Sequence, residues 1–276
     1  MPTAPRFPTA SPHNVPLGPY TVRVAEPGYE KLDPLALPWK ELRRNPERFP
    51  DWHVAKVSSA RTVVGLDVDL PEGRRERIYF KRAPRRTFVA RLRALVRPSK
   101  EWREWNLAQA IGRAGVWVPR PLFYAEAYDP SVGCPCVFLA TKALEPTWRE
   151  AKEHFIQHRQ FDREWRSLAA FSRRLHELEI YHADFRADHL FLDPTRIGVW
   201  EDLSAWAMID LDGSTVGAPI GRALRLRAIE QLAESFMKAG LTAAHLEDFL
   251  AIYDPTNQWK FNPPAIIEVA SRTGFR

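Results

Sequence analysis

The chain has 276 residues, 45% of them hydrophobic, with 10 Trp and a formal net charge of +6. That is enough apolar material for one large core or two smaller ones, which excludes a disordered chain. No run approaches the roughly 18 consecutive apolar residues of a membrane-spanning helix. The opening "MPTAPRFPTASPHNVPLGPY" has proline where a signal peptide needs an unbroken apolar segment, so a cytoplasmic location is expected. The only cysteines, Cys134 and Cys136, are too few for a disulfide framework and lack paired C-x-x-C knuckles; they read as small strand hydrophobes.

Eleven of the 24 prolines fall in the first 50 residues. Proline-rich polar sequence at a terminus rarely packs, so residues 1 to about 35 are expected to form a mobile arm. "VGLDVDL" then alternates Val64, Leu66, Val68 and Leu70 with small or acidic residues, the period of a half-buried strand, and "PEG" breaks it. "RIYFK" resumes the pattern with Ile78 and Phe80 on one face and Tyr79 and Lys81 on the other. "SKEWREWNLAQAIGRAG" predicts a helix capped by Ser99, striped by Trp102, Trp105, Leu107, Ala108 and Ile111, and ended by Gly115. "PLFYAEA" and "PCVFLAT" read as further strands.

Past "LEPT" the character changes. "DREWRSLAAFSRRLHELEI" spaces Trp165, Leu168, Phe171, Leu175 and Leu178 as a helix with Asp162 as its cap, and His176, near that stripe, is expected to be structural. "AWAMIDLDG" reads as a strand ending in acids, and helices are predicted at 221–239 and 242–253. The sum is an α+β chain, β-rich over residues 36–144 and mostly helical over 145–276.

Charge is concentrated. Residues 74–100 hold eleven Lys or Arg against Glu76 alone, a local +10 that leaves −4 for the remainder. Nucleic acid, an anionic membrane surface and a phosphorylated substrate are all partners that such a patch could meet. Within it, Phe88, Leu92, Leu95 and Val96 fall on one helical face flanked by Arg91 and Arg93, the pattern of a short interfacial helix or of a connecting helix packed on the domain.

"HADFRADHLFLD" places His182, Asp184, Arg186, Asp188 and His189 within eight positions and then runs into an apolar segment. Unpaired buried charges are too costly for this to be plain core, so something polar is expected to bind there. With a strand lysine (Lys81), a helix glutamate 23 residues later (Glu104) and the strand-terminal "DLD" at 210–212, the chain presents in order the parts that phosphoryl transfer from a nucleotide needs. These are a cation for donor phosphates, an anion to hold it, a carboxylate facing the acceptor hydroxyl and a metal-binding carboxylate. His-x-Asp with Asp-x-Asp also suits a divalent-metal hydrolase or a metal-dependent glycosyltransferase. A glycosyltransferase would be expected to open on a nucleotide-binding α/β domain, whereas this chain opens on a hairpin and a lysine; a nucleic-acid module would leave both acidic motifs without purpose.

These motifs resemble those of the protein-kinase-like superfamily: "YFK" the strand lysine motif, Glu104 the helix glutamate, "HADFRADH" the catalytic loop and "IDLDG" the metal-binding segment. Within it, "SSARTVV", "YFKR", "EWREWNLAQAIGRAGVWVPRPL", "FLATKAL", "LHELEIYHADF", His189 and "MIDLDG" are similar to the lipopolysaccharide core kinases, which phosphorylate heptose or 3-deoxy-D-manno-octulosonic acid. The resemblance covers about residues 55–215. It implies a two-lobed protein-kinase-like α+β fold, with ATP between the lobes, Mg2+ as the metal, and a lipopolysaccharide core or lipid-linked sugar as acceptor. With such an acceptor, the basic segment 74–100 is expected to hold the protein peripherally at the anionic inner face of the inner membrane, and no nucleic acid partner is expected. Carried over by position, Asp184 is the catalytic carboxylate and Arg186 a contact to the transferred phosphate. Lys81 and Glu104, with Ser58 and Ser59, serve the donor phosphates, Thr141, Lys142, Ala143 and Leu144 form the adenine-holding hinge, and Asp210 and His189 hold metal. His182 is expected to support the loop. "VSSARTVV" stands where protein kinases have a glycine-rich loop, and Glu179 where such chains often turn on glycine. A kinase acting on another small alcohol or on protein, and a pseudokinase scaffold, are the alternatives within the superfamily.

Overall fold

The computed structural model describes residues 13–17, 20–24, 29, 33–58, 60–69, 73, 75–158, 162–197, 203–237 and 239–273. They divide into two compact units. One contains the described residues up to Gln109 together with Pro119–Ala143; the other contains Ala110–Val118 and Leu144 onward. The split after Ala143 lies one residue from the expected boundary, while 110–118 group with the helical unit.

The first unit is built on one sheet. In chain order its elements are β1 (His13–Leu17), β2 (Tyr20–Val24), α1 (Trp39–Arg44), β3 (His53–Val57), β4 (Thr62–Asp69), β5 (Arg75–Pro84), α2 (Phe88–Val96), α3 (Lys100–Arg113), β6 (Pro121–Asp129) and β7 (Cys134–Lys142). The seven strands order as β1-β2-β6-β7-β5-β4-β3, every neighbouring pair antiparallel. Strand alternation gives the sheet two apolar faces. Cys136, Phe138 and Ala140 join Val64, Ile78, Phe80 and Phe123 in a core covered by Trp39 and Leu42 of α1. Val137 and Leu139 point the other way, to Trp105 of α3 and Tyr124. Both cysteines are buried strand residues as expected, and burial pushes the Cys136 thiol up to about 12, which leaves it unreactive.

Residues 13–17 and 20–24 correct the expectation of a mobile arm. They form two antiparallel strands, the second of which pairs with β6. Val22 and Val24 are buried in the sheet core, and Tyr29 is buried with its hydroxyl donated to Glu76 at 2.6 Å. The prolines mislead because Pro16 falls on the edge strand β1, where a missing N–H breaks no inner ladder. The alternation in "TVRV" is the signal that proline density outweighed.

The second unit comprises β8 (Arg149–Glu150), α4 (Ala151–His158), α5 (Asp162–Glu177), β9 (Ile180–Tyr181), β10 (Leu190–Leu192), β11 (Trp206–Met208), β12 (Thr215–Val216), α6 (Arg222–Met237), α7 (Ala243–Tyr253) and α8 (Pro263–Thr273). The stripe read on α5 is its buried face: the Trp165 ring lies 5.2 Å from Phe236 and 5.1 Å from Phe249, and Phe171 stacks on Trp206. Two small pairings set up the chemistry. β10 pairs with β11, and β9 with β12. The loop 182–189 joins β9 to β10 and the loop 209–214 joins β11 to β12, so pairing of their flanks brings the two acidic loops side by side. Glu179 turns the chain into β9 at φ +56°, a left-handed conformation that favours glycine, as its position implied.

The β1–β2 pair gives a direct test. Val24→Ala should lower the urea unfolding free energy by about 2 kcal/mol, the scale of a buried truncation; a mobile arm would leave it unchanged.

Candidate active site

His182 joins the two acidic loops. It is buried, and its Nε2–H donates to the Ile209 carbonyl at 2.9 Å while its Nδ1 accepts the Asp184 amide at 3.2 Å. That pair of bonds requires the neutral tautomer with the proton on Nε2. Burial lowers its pKa, against the opposing pull of the Ile209 carbonyl, so the ring stays neutral. One imidazole therefore fixes the backbone of Asp184 and, through Ile209, that of Asp210. Asp210 takes φ +53°, a left-handed conformation that a side chain adopts only when its surroundings demand it.

Asp184 is half-exposed and ringed by donors. Arg186 Nε lies 3.1 Å from its Oδ1, and the same guanidinium gives Nη2 to Glu234 at 3.1 Å. His189 donates Nδ1–H to the Asp184 carbonyl at 3.0 Å, with the Asp184 Oδ2 at 3.4 Å. One face of α6 clamps the loop beneath. Gln231 accepts the Phe185 amide at 3.1 Å and donates to the Ala183 carbonyl at 3.0 Å, and Ser235 accepts the Ala187 amide at 2.9 Å. Gln231, Glu234 and Ser235 were not anticipated from sequence; their i, i+3, i+4 spacing was the available signal. The far end is pinned by Asp193. Burial works against its charge, yet bonds from Thr195 and Thr147 and the Arg196 guanidinium hold its carboxyl below the ordinary range.

In the sheet unit, Lys81 forms an ion pair with Glu104, and both are largely buried. One turn earlier on α3, Glu101 takes Arg61 at 2.9 Å, so the helix holds a cation from β5 and another from the β3–β4 loop. The Glu101 pair was also missed in the sequence. The second oxygen of Glu104 is buried and has no hydrogen-bond partner among the described residues. Ser58, expected to cover phosphates, closes its own turn: its hydroxyl donates to the Arg61 carbonyl at 2.9 Å and accepts the Arg61 amide at 3.0 Å. Ser59 lies outside the described residues.

The expected hinge residues are where the chain passes from one unit to the other. Thr141 is buried, the Lys142 amide bonds to the Arg120 carbonyl at 2.8 Å and the Ala143 amide to Arg77 at 2.9 Å. Those two amides are thus already engaged. The Lys142 side chain pairs with Glu76 at 2.8 Å, and Leu144 is half-buried.

With this geometry in view, the Lipopolysaccharide kinase (Kdo/WaaP) family matches residues 59–253. The chain belongs to that family. The "3-deoxy-D-manno-octulosonic acid kinase" of Actinobacillus succinogenes is 26% identical over 140 residues, 51% of this chain and 55% of that one, so the match spans about half of each. The solved structure of "WaaP in complex with acyl carrier protein" aligns with 86% of this chain and 95% of that chain at 20% identity and a TM-score of 0.56. The likeness establishes the protein-kinase-like α+β fold.

The residues present fit magnesium in one respect and not in another. Among the described residues no cluster of three or more His, Cys, Asp or Glu forms a ready metal site. Mg2+ is commonly held through one or two carboxylates with substrate phosphates completing the shell, which suits Asp210. His189 fits poorly, because an imidazole is not the oxygen donor that Mg2+ prefers; its Nδ1–H goes to the Asp184 carbonyl, which leaves only Nε2 as a donor atom.

Two outcomes follow from these contacts. A double-mutant cycle on Lys81→Ala and Glu104→Ala, read by urea unfolding, should give a coupling energy on the order of 1 kcal/mol; zero coupling would mean the pair does not form. In the helical unit His176 is also buried neutral beside Tyr253, at 2.5 Å, and burial together with Arg225 lowers its pKa to about 3. The folded form binds that proton more weakly than the unfolded chain. Stability is therefore full above the unfolded value of 6.5 and lost as pH falls below it. His176→Gln should flatten the fall between neutral pH and pH ~4 by up to about 1.4 kcal/mol per pH unit; a slope equal to wild type would place that proton uptake elsewhere.

Proposed function

We propose that this protein is an ATP-dependent kinase that transfers the γ-phosphoryl group to a sugar hydroxyl of the lipopolysaccharide core, with 3-deoxy-D-manno-octulosonic acid or heptose as the acceptor. The observation that carries the reading is Asp184, an accessible carboxylate whose backbone is tied by His182 to the segment bearing Asp210. Family membership and the name of the Actinobacillus succinogenes relative support the sugar acceptor.

In this reading Asp184 accepts the proton of the acceptor hydroxyl as that oxygen attacks phosphorus. Arg186 is shared between Asp184 and Glu234, which holds the catalytic carboxylate in place. Its Nη1 remains to meet an incoming phosphate oxygen. Lys81, oriented by Glu104, would bind donor phosphates. Mg2+, when bound, neutralises charge on the transferred phosphoryl group, and Asp210 would hold it. His189 orients Asp184 from the carbonyl side.

The test is transfer of labelled γ-phosphate from ATP to core oligosaccharides that end in the octulosonic acid or carry heptose. Asp184→Ala should cut turnover by about two orders of magnitude while leaving the protein folded. Near-normal turnover in that variant would overturn the reading of the loop.

A location at an anionic membrane surface is part of this proposal, and α2 favours it. No helix among the described residues is long and apolar enough to cross a membrane. Yet Phe88 is 77% exposed, Leu92 54% and Val96 78%, with Val89 beside them at 59%, a set of large apolar side chains that water disfavours and a lipid interface would cover. The side chains of Arg93 and Leu95 lie outside the described residues. Much of the basic segment is neutralised internally: Arg77 pairs with Asp67, Arg82 with Asp129 and Arg85 with Glu126. Arg86, Arg91 and Arg97 are exposed without a carboxylate partner among the described residues, each worth about 1 kcal/mol near an anionic leaflet. Phe88→Asp with Leu92→Asp should abolish sedimentation with phosphatidylglycerol vesicles; equal pelleting of variant and wild type would remove α2 from the membrane.

A further inference from the structure

One basic feature of the sheet unit has no part in the chemistry proposed above. Successive residues of β5 alternate between faces, so Lys81 meets α3 while Phe80 and Arg82 meet α1 on the opposite side. There a cavity of about 390 Å³ is lined by Lys40, Arg43 and Arg44 of α1, by Arg82 and Arg86 at the end of β5, and by the hydroxyl residues Ser58, Thr62 and Ser131. Five cations and no carboxylate line it.

Arg82 is the built part. It is 4% exposed, held by an ion pair to Asp129, by a hydrogen bond to the Ser131 hydroxyl at 2.9 Å and by the face of Trp39. Its Nε–H is nevertheless buried without an acceptor among the described residues. A buried donor left unpaired costs free energy that an incoming acceptor would recover. The other four cations are on the exposed side of α1 and just past β5, and none has a carboxylate partner among the described residues. α1 turns Trp39 and Leu42 into the core, which leaves Lys40, Arg43 and Arg44 outside it. Like charges gathered this closely repel one another unless an anion sits among them.

We propose that this cavity is a second anion site, separate from the donor-phosphate lysine, and that its ligand is a phosphomonoester carried on a sugar or a lipid. Asp129 balances only Arg82, so four positive charges call for a doubly charged anion rather than a single carboxylate. Arginine forks with neighbouring hydroxyls are the donor set that phosphate oxygens accept from. The cavity is of the size that encloses one small ligand and offers no exposed aromatic platform for stacking a base, Trp39 being 2% exposed, which sets it apart from a nucleic-acid groove. The inference does not depend on phosphoryl transfer by this chain.

The test uses the full chain and two probes: glucose 6-phosphate in solution, read by calorimetry, and vesicles of phosphatidylcholine with or without phosphatidic acid, read by sedimentation. The variant is Arg43→Gln with Arg44→Gln, both exposed on α1 and without a carboxylate partner among the described residues, so folding is untouched. Its affinity for the phosphomonoester should fall about tenfold or more, since charge-assisted bonds are lost, while Lys81→Ala keeps wild-type affinity. Loss on both probes identifies a lipid-borne phosphate, and loss on glucose 6-phosphate alone a soluble one. The proposal is overturned if the double variant binds both probes like wild type, if wild type binds neither, or if Lys81→Ala removes the binding.

Discussion

The candidate site depends on one buried imidazole kept neutral. His182 can accept the Asp184 amide and donate to the Ile209 carbonyl only while a single proton sits on Nε2. Were the ring protonated on both nitrogens, the Asp184 amide would face an N–H instead of a lone pair, and a charge would sit where water cannot reach it. Burial supplies the needed bias by lowering the pKa. Two loops from different strand pairs are thus held in one relation by a group that never has to ionise.

Around that bond the polar groups are satisfied from several directions. The helix α6 supplies Gln231, Glu234 and Ser235 from below, and Ser214 accepts the Ala183 amide at 3.3 Å. A buried loop with so many amides would be costly without these acceptors. The left-handed Asp210 is the exception that the network sustains, and strain of that kind is stored where surroundings over-determine a residue. In the sheet unit the same logic operates with charge, since α3 presents Glu101 and Glu104 one turn apart to hold Arg61 and Lys81.

The parts that were legible in the sequence are those whose signal is local. Alternation put Lys81 opposite Ile78 and Phe80, helical spacing picked the buried face of α5, and the density of charge in "HADFRADH" marked the loop that His182 anchors. What stayed hidden depends on partners far along the chain. Gln231, Glu234 and Ser235 bind residues nearly fifty positions away, and on α6 they look like a solvated face. Arg82 was one charge among eleven until strand pairing turned it away from Lys81 and onto Trp39. The pairing of β1 with β2 was obscured by prolines that an edge strand tolerates. Ser58 read as a phosphate contact because a hydroxyl in a loop has two possible employments, and here the turn itself takes it.

The most direct measurement of this account is the protonation state of His182 by nitrogen-15 NMR of selectively labelled protein. The expected spectrum at pH 7 shows a proton on Nε2 and a bare Nδ1, unchanged as the pH is lowered through the normal histidine range. A proton on Nδ1, or titration near pH 6.5, would contradict it, because the bond that joins the Asp184 and Asp210 segments could not then exist as described.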